Sequence, residues 1–139
     1  MSAYSKEPET AENQIKQLIA DMQSEYEKGN YVICGADFNK QIVDNPENYF
    51  KQEKIYHMNS FPVEFLQGTN ISVVAPFDPN NPKGTCRDAG QVWSEEDTVC
   101  NIDGFLVSPN VLVDQADVID TDFAYSDHQP VYMIFRLAR

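Results

Sequence analysis

Tyr31-Val32-Ile33-Cys34-Gly35-Ala36-Asp37-Phe38-Asn39 places an unbroken apolar run directly before a Gly-Ala-Asp-Phe-Asn turn. Four apolar residues in a row have the pattern of a short strand buried on both faces. Upstream, Ile15, Leu18, Ile19, Met22 and Tyr26 recur at helical spacing, which predicts an amphipathic helix over residues 11–28. Thr10 suits its N-cap, Glu9 and Glu12 suit the positive end of its dipole, and Gly29 suits its stop. Helix, Gly-Asn link and strand together make the half-unit of an α/β layer fold.

Downstream, residues 39–70 show no regular period, with short helices expected at 46–50, where a proline opens the first turn, and at 62–67. Residues 71–75 read as a strand, and the run of turn formers at 78–84 as a surface loop. Three further strands, 98–108, 111–119 and 130–137, close the chain, and their short joints suit antiparallel neighbours. The length of 139 residues fits one domain, and 8 Phe, 7 Tyr and 1 Trp supply material for a packed core.

Charge narrows the function classes. Ten basic against 22 acidic residues give a formal −12, which argues against nucleic acid held on a broad basic face. A phosphoester reached through bound cations stays open. No apolar run approaches the ~20 residues that span a bilayer, so an integral membrane protein is not expected. No charged-then-apolar leader opens the chain, and composition does not set its compartment. The cysteines Cys34, Cys86 and Cys100 form no Cys-x-x-Cys pair, which speaks against a thiolate zinc site. Cys34 reads as a small buried hydrophobe. Cys86 and Cys100 could meet across a hairpin, with free thiols favoured over a disulfide.

Polar residues stand where strands end in three places: Gly35-Ala36-Asp37-Phe38-Asn39, Asn101-Ile102-Asp103-Gly104-Phe105-Leu106-Val107, and Tyr125-Ser126-Asp127-His128-Gln129-Pro130-Val131. Strand ends in layered folds are rigid and reach solvent, so sites are commonly assembled there. Each stretch also has a structural reading: Asp37 and Asn39 as caps of a turn, Asp103 as partner of a buried amide, and Asp127-His128 as a surface turn. His57, in a polar stretch with no matching constellation, reads as structural.

Taken together, Gly-x-Asp-Phe-Asn, then Ile-Asp-Gly-Phe-Leu-Val-Ser, then Ser-Asp-His-x-Pro-Val resemble the endonuclease/exonuclease/phosphatase superfamily, the deoxyribonuclease-I-like fold. The Ser-Asp-His-x-Pro-Val element is the most specific of the three. Ile-Asp-Gly-Phe, in place of the commoner Asp-Tyr, is closer to bacterial members than to the familiar nucleases. The resemblance implies an α/β chain with a mostly antiparallel sheet and flanking helices, the C-terminal half of a four-layer α/β sandwich. It implies a metal-dependent phosphoester hydrolase. Asp37 would orient or activate the attacking water, and Asn39 would contact the phosphoryl oxygens. Asp127 would help to hold Mg²⁺ (or Mn²⁺ or Ca²⁺). His128, steadied by Asp103, would contact the phosphate or transfer a proton. Arg87 is the candidate for a further phosphate contact, with a solvated pairing to Asp88 as its structural reading, and Trp93 either covers the site or packs on the sheet edge.

The resemblance spans only the second half of such a domain. Met1 stands almost where a histidine-bearing strand, just before Ser2-Ala3-Tyr4, would end, and the Glu that is the main metal ligand in the family belongs to the missing half. Weak metal binding and little turnover by this chain alone are therefore expected. The missing half is one expected partner. Self-association of this chain is another, through an inner sheet face drawn from Val32, Cys34, Phe105, Val107, Val131, Met133 and Phe135. The substrate would be a nucleic acid, a phospholipid headgroup or an inositol phosphate, and a non-catalytic binding or structural domain is the competing reading.

Overall fold

The computed structural model describes residues 8–56, 58–90 and 92–139; Met1, the Ser2-Ala3-Tyr4 stretch and His57 lie outside them. The architecture is mixed, with one long helix and antiparallel sheets. Helix α1, Pro8–Glu27, is followed by strand β1, Ile33–Asp37. A largely irregular stretch then holds three short 3-10 helices, Pro46–Asn48, Gln52–Lys54 and Val63–Leu66. The remaining strands are β2 (Ser72–Val74), β3 (Cys86–Arg87), β4 (Val99–Cys100), β5 (Asp103–Val107), β6 (Val111–Val118) and β7 (Val131–Leu137).

The helical stripe does what its spacing predicts. Ile15, Ile19 and Met22 are buried with Phe38, Phe61, Ile71 and Leu106 in one cluster, which Leu18, Val32, Cys34, Ala36 and Val73 flank. The helix stops where Gly29, at φ +87°, donates to the Tyr26 carbonyl at 2.8 Å, and Asn30 donates to that of Glu25. The start differs from expectation. Thr10 lies inside the first turn rather than at the N-cap, because the helix already includes Pro8, a residue well suited to a first turn.

Strand β5 lies between β1 and β2, antiparallel to both, with Ile33 opposite Val107 and Asp37 opposite Asp103. Side chains alternate across this sheet. Val32, Cys34 and Ala36 pack toward α1, and the parity of Ile33, Gly35 and Asp37 sends them to the other side. This corrects two expectations. The apolar run at 31–34 is not buried on both faces, since Tyr31 and Ile33 are exposed. Val32 and Cys34 belong to the helix side of the sheet, and Cys34 is only half-buried. β1 is an edge strand of the three-stranded sheet, and on its face away from α1 Ile33 is exposed while its partner Val107 is buried.

The expected strand at 98–108 is broken in two. Asn101 and Ile102 leave the ladder between β4 and β5, and the Ile102 carbonyl accepts from Phe38 N–H at 2.8 Å. β5 does not pair with β6 despite their short joint. Instead β6 and β7 form their own two-stranded sheet, and Cys86 faces Cys100 in a second small one. Around the β6–β7 register, Val111, Val113, Ala116, Val118, Val131, Met133, Phe135 and Leu137 share one face, with a bulge at Asp114. Phe135 and Leu137 on that face are exposed. No described helix is long and apolar enough to cross a membrane.

Candidate functional site

The site grows from the paired ends of β1 and β5. Asp37 and Asp103 are directly opposite in the ladder, so their side chains leave the same side of the sheet, away from α1. Each holds a different residue. The Asp37 carboxylate accepts from Asn39 N–H at 2.8 Å and from Asn39 Nδ2–H at 3.0 Å. This Asx-type turn fixes Asn39 in the left-handed region at φ +48°, which Asn tolerates better than most residues. The turn-capping reading of Asp37 and Asn39 is thus realised, and it leaves Asn39 aimed at the site.

Asp103 holds the histidine. His128 Nδ1–H donates to Asp103 Oδ2 at 2.9 Å, with the carboxylate 14% and the imidazole 33% exposed. The hydrogen-bonded carboxylate pushes the imidazole pKa up to about 11; the Cys86 sulfur adds to this, and burial opposes it. Cys86 is itself pushed up, by its contact with the Cys100 thiol and then by burial. It is therefore a neutral thiol near pH 7, and Asp103 is the partner that keeps His128 cationic.

Backbone pairing carries the histidine to this place. Arg87 N–H donates to the Asp127 carbonyl and Gln129 N–H to the Thr85 carbonyl, so residues 127–129 run along β3, with His128 opposite Cys86. Ser126 Oγ accepts from His128 N–H at 3.1 Å and donates to Asp127 Oδ1 at 3.2 Å, which closes the turn before the strand. Gln129, buried, accepts from Thr121 N–H at 2.7 Å and donates to the Gly84 carbonyl at 3.1 Å.

Asn39, Arg87, Asp127 and His128 line one cavity of about 380 Å³, together with Tyr56, Met58, Cys86 and Cys100. Asp103 stands behind His128 and Asp37 behind Asn39, so the six candidate residues fall into one neighbourhood. Arg87 Nη1–H donates to the Asp88 backbone carbonyl at 2.7 Å. Trp93 packs on Phe123 with ring centroids 4.6 Å apart and lines a neighbouring cavity that shares Arg87.

Thr85 is the residue that motif reading passes over. Fully buried, its Oγ1 accepts from Ile102 N–H at 3.0 Å and from Asp103 N–H at 3.2 Å, so one hydroxyl pins the start of β5 to β3. A two-residue strand has no period to read, so the sequence carries no signal that would single out Thr85. Among the described residues, no three His, Cys, Asp or Glu side chains converge as a ligand group for a metal. Asp88 and Asp127 are the carboxylates among the residues that line the cavity. Comparison with protein-family models, with curated proteins and with solved structures finds no match to this chain.

Proposed function

We propose that this chain carries part of the active site of a metal-dependent phosphoester hydrolase, and that the cavity between β1, β3 and residues 127–129 receives the phosphoryl group. The observation that carries the reading is the Asp103–His128 pair on the wall of a cavity that Asn39, Arg87 and Asp127 also line. The three sequence motifs, at their spacing, support it. The finer architecture belongs to the same proposal: the C-terminal half of a deoxyribonuclease-I-like four-layer sandwich.

In this reading His128, cationic, donates from Nε2 to a non-bridging or leaving oxygen, and Asp103 fixes its tautomer and direction. The Arg87 guanidinium and the Asn39 amide donate to the remaining phosphoryl oxygens, stabilising charge as it develops. Asp37 holds Asn39 in place and stands on the same side of the sheet as Asp103, where the water of an in-line attack would be oriented. Hard divalent cations favour oxygen donors, and Mg²⁺ retains waters and takes one or two carboxylates plus substrate phosphate. Asp127 fits that pattern as one carboxylate ligand. A bound cation would supply positive charge that the acidic chain lacks.

The test is a titration of the full chain with bis(4-nitrophenyl) phosphate and Mg²⁺, followed by amide and imidazole NMR. The expected result is saturable shifts at Asn39, Arg87, Asp127 and His128, lost in Asp103→Asn and Arg87→Ala. Shifts elsewhere, or none, would overturn the reading. Saturable binding without any hydrolysis by the longer protein would favour the non-catalytic binding role.

A further inference from the structure

We infer that Cys86 and Cys100 are a latent redox pair that closes to a cross-strand disulfide in the wall of the His128 cavity. Three observations converge on it. Cys86 and Cys100 are register partners across β3 and β4, and directly opposed residues in an antiparallel ladder have Cα atoms about 4.5–5.5 Å apart, within the span a disulfide requires. Both are free thiols, and the Cys86 sulfur is in contact with the Cys100 thiol. Both line the same cavity, yet Cys100 is buried while Cys86 is half-buried, so access divides the roles: Cys86 meets the oxidant and Cys100 resolves.

The chemistry balances with a peroxide as oxidant. The Cys86 sulfur, after giving up its proton, attacks one peroxide oxygen. The O–O bond breaks, hydroxide leaves and is protonated to water, and a sulfenic acid remains. The Cys100 sulfur then attacks the Cys86 sulfur. The S–O bond breaks, the S–S bond forms, and a second water leaves. Two thiols lose two electrons and one peroxide gains them. Rising pH favours the first step, because the contact with Cys100 and burial hold the Cys86 thiol above its ordinary range.

Closure would replace the thiol facing His128 by a rigid bridge and pin β3 to β4. The inference does not depend on phosphoester chemistry, and its test needs no substrate. The full chain is treated with hydrogen peroxide at mildly alkaline pH, then alkylated and mapped without reduction. Expected are the loss of two hydrogen masses, a linked pair of peptides carrying Cys86 and Cys100, and a fall of at least about tenfold in alkylation of both, with Cys34 unchanged and full reversal by dithiothreitol. Cys100→Ser should stop at a sulfenic acid on Cys86 that a cyclic 1,3-dione traps, and Cys86→Ser should leave Cys100 unmodified. A disulfide through Cys34, or over-oxidised Cys86 beside a free Cys100, would overturn the inference.

Discussion

At the scale of the residue, the Asp103–His128 contact is both a stabilising bond and a chemical setting. Asp103→Asn removes the carboxylate that holds the imidazolium, so the His128 pKa should fall markedly toward 6.5, as read from imidazole NMR shifts. The same change should cost about 1.5–3 kcal/mol in chemical denaturation at neutral pH, the range for a charge-assisted hydrogen bond. Because the folded-state pKa lies above the ordinary value, this stabilisation is complete below about pH 6.5 and is lost as pH rises toward about 11. Denaturation midpoints of the unsubstituted chain should therefore decline across that window, and Asp103→Asn should flatten the decline. Thr85 gives a second test. Thr85→Val keeps the shape but strips the acceptor from two backbone N–H groups, and should destabilise by about 1–3 kcal/mol.

At the scale of the element, close packing between strands and neighbouring side chains constrains the site. A Cβ on Gly104 would stand 2.5 Å from Ile42 Cδ1 and 2.9 Å from the Val74 carbonyl oxygen. The Ile42 tip can move, but the β2 backbone cannot without leaving β5. Gly104→Ala should accordingly cost about 1–3 kcal/mol and perturb the neighbouring Asp103–His128 contact, which thermal melts and the His128 resonance would report. The longer elements were legible in the sequence: the stripe from Ile15 to Met22 predicts α1, and the apolar-rich stretches 111–119 and 130–137 between turn formers predict β6 and β7. What escaped was settled by pairing over distance. The run at 31–34 looks doubly buried until Val32 and Cys34 are seen to pack on the core while Tyr31 and Ile33 are exposed. β3 is too short to show alternation, and the break at Asn101-Ile102 is set by the Phe38 and Ile42 amides that those carbonyls satisfy. The site was legible as residue types at three strand ends, whereas the division between residues that line the cavity and the carboxylates behind them required the register of Asp37 against Asp103.

At the scale of the whole molecule, the apolar side of the β6–β7 ribbon is the expected surface of self-association. Eight side chains without a charge share that side; Val111 and Val118 are buried within the chain, while Phe135 and Leu137 are exposed, as is Ile33 on β1. A side so uniform is complementary to itself, so two copies related by a twofold axis are its expected cover. Sedimentation velocity should show a concentration-dependent dimer, which Phe135→Ser with Leu137→Ser shifts to monomer; a monomer at all concentrations in the unsubstituted chain would refute this. The bulge at Asp114 bears on the same ribbon. Because Asp114 is one residue more than its partner strand supplies, excising it leaves Val111, Val113, Ala116 and Val118 on their original side. The extra residue thus serves the coil of the ribbon and the bidentate Asp114–Arg136 clasp, not the sorting of side chains. A chain lacking it would present a straighter, unclasped margin, the geometry on which strands from neighbouring molecules stack into fibrils.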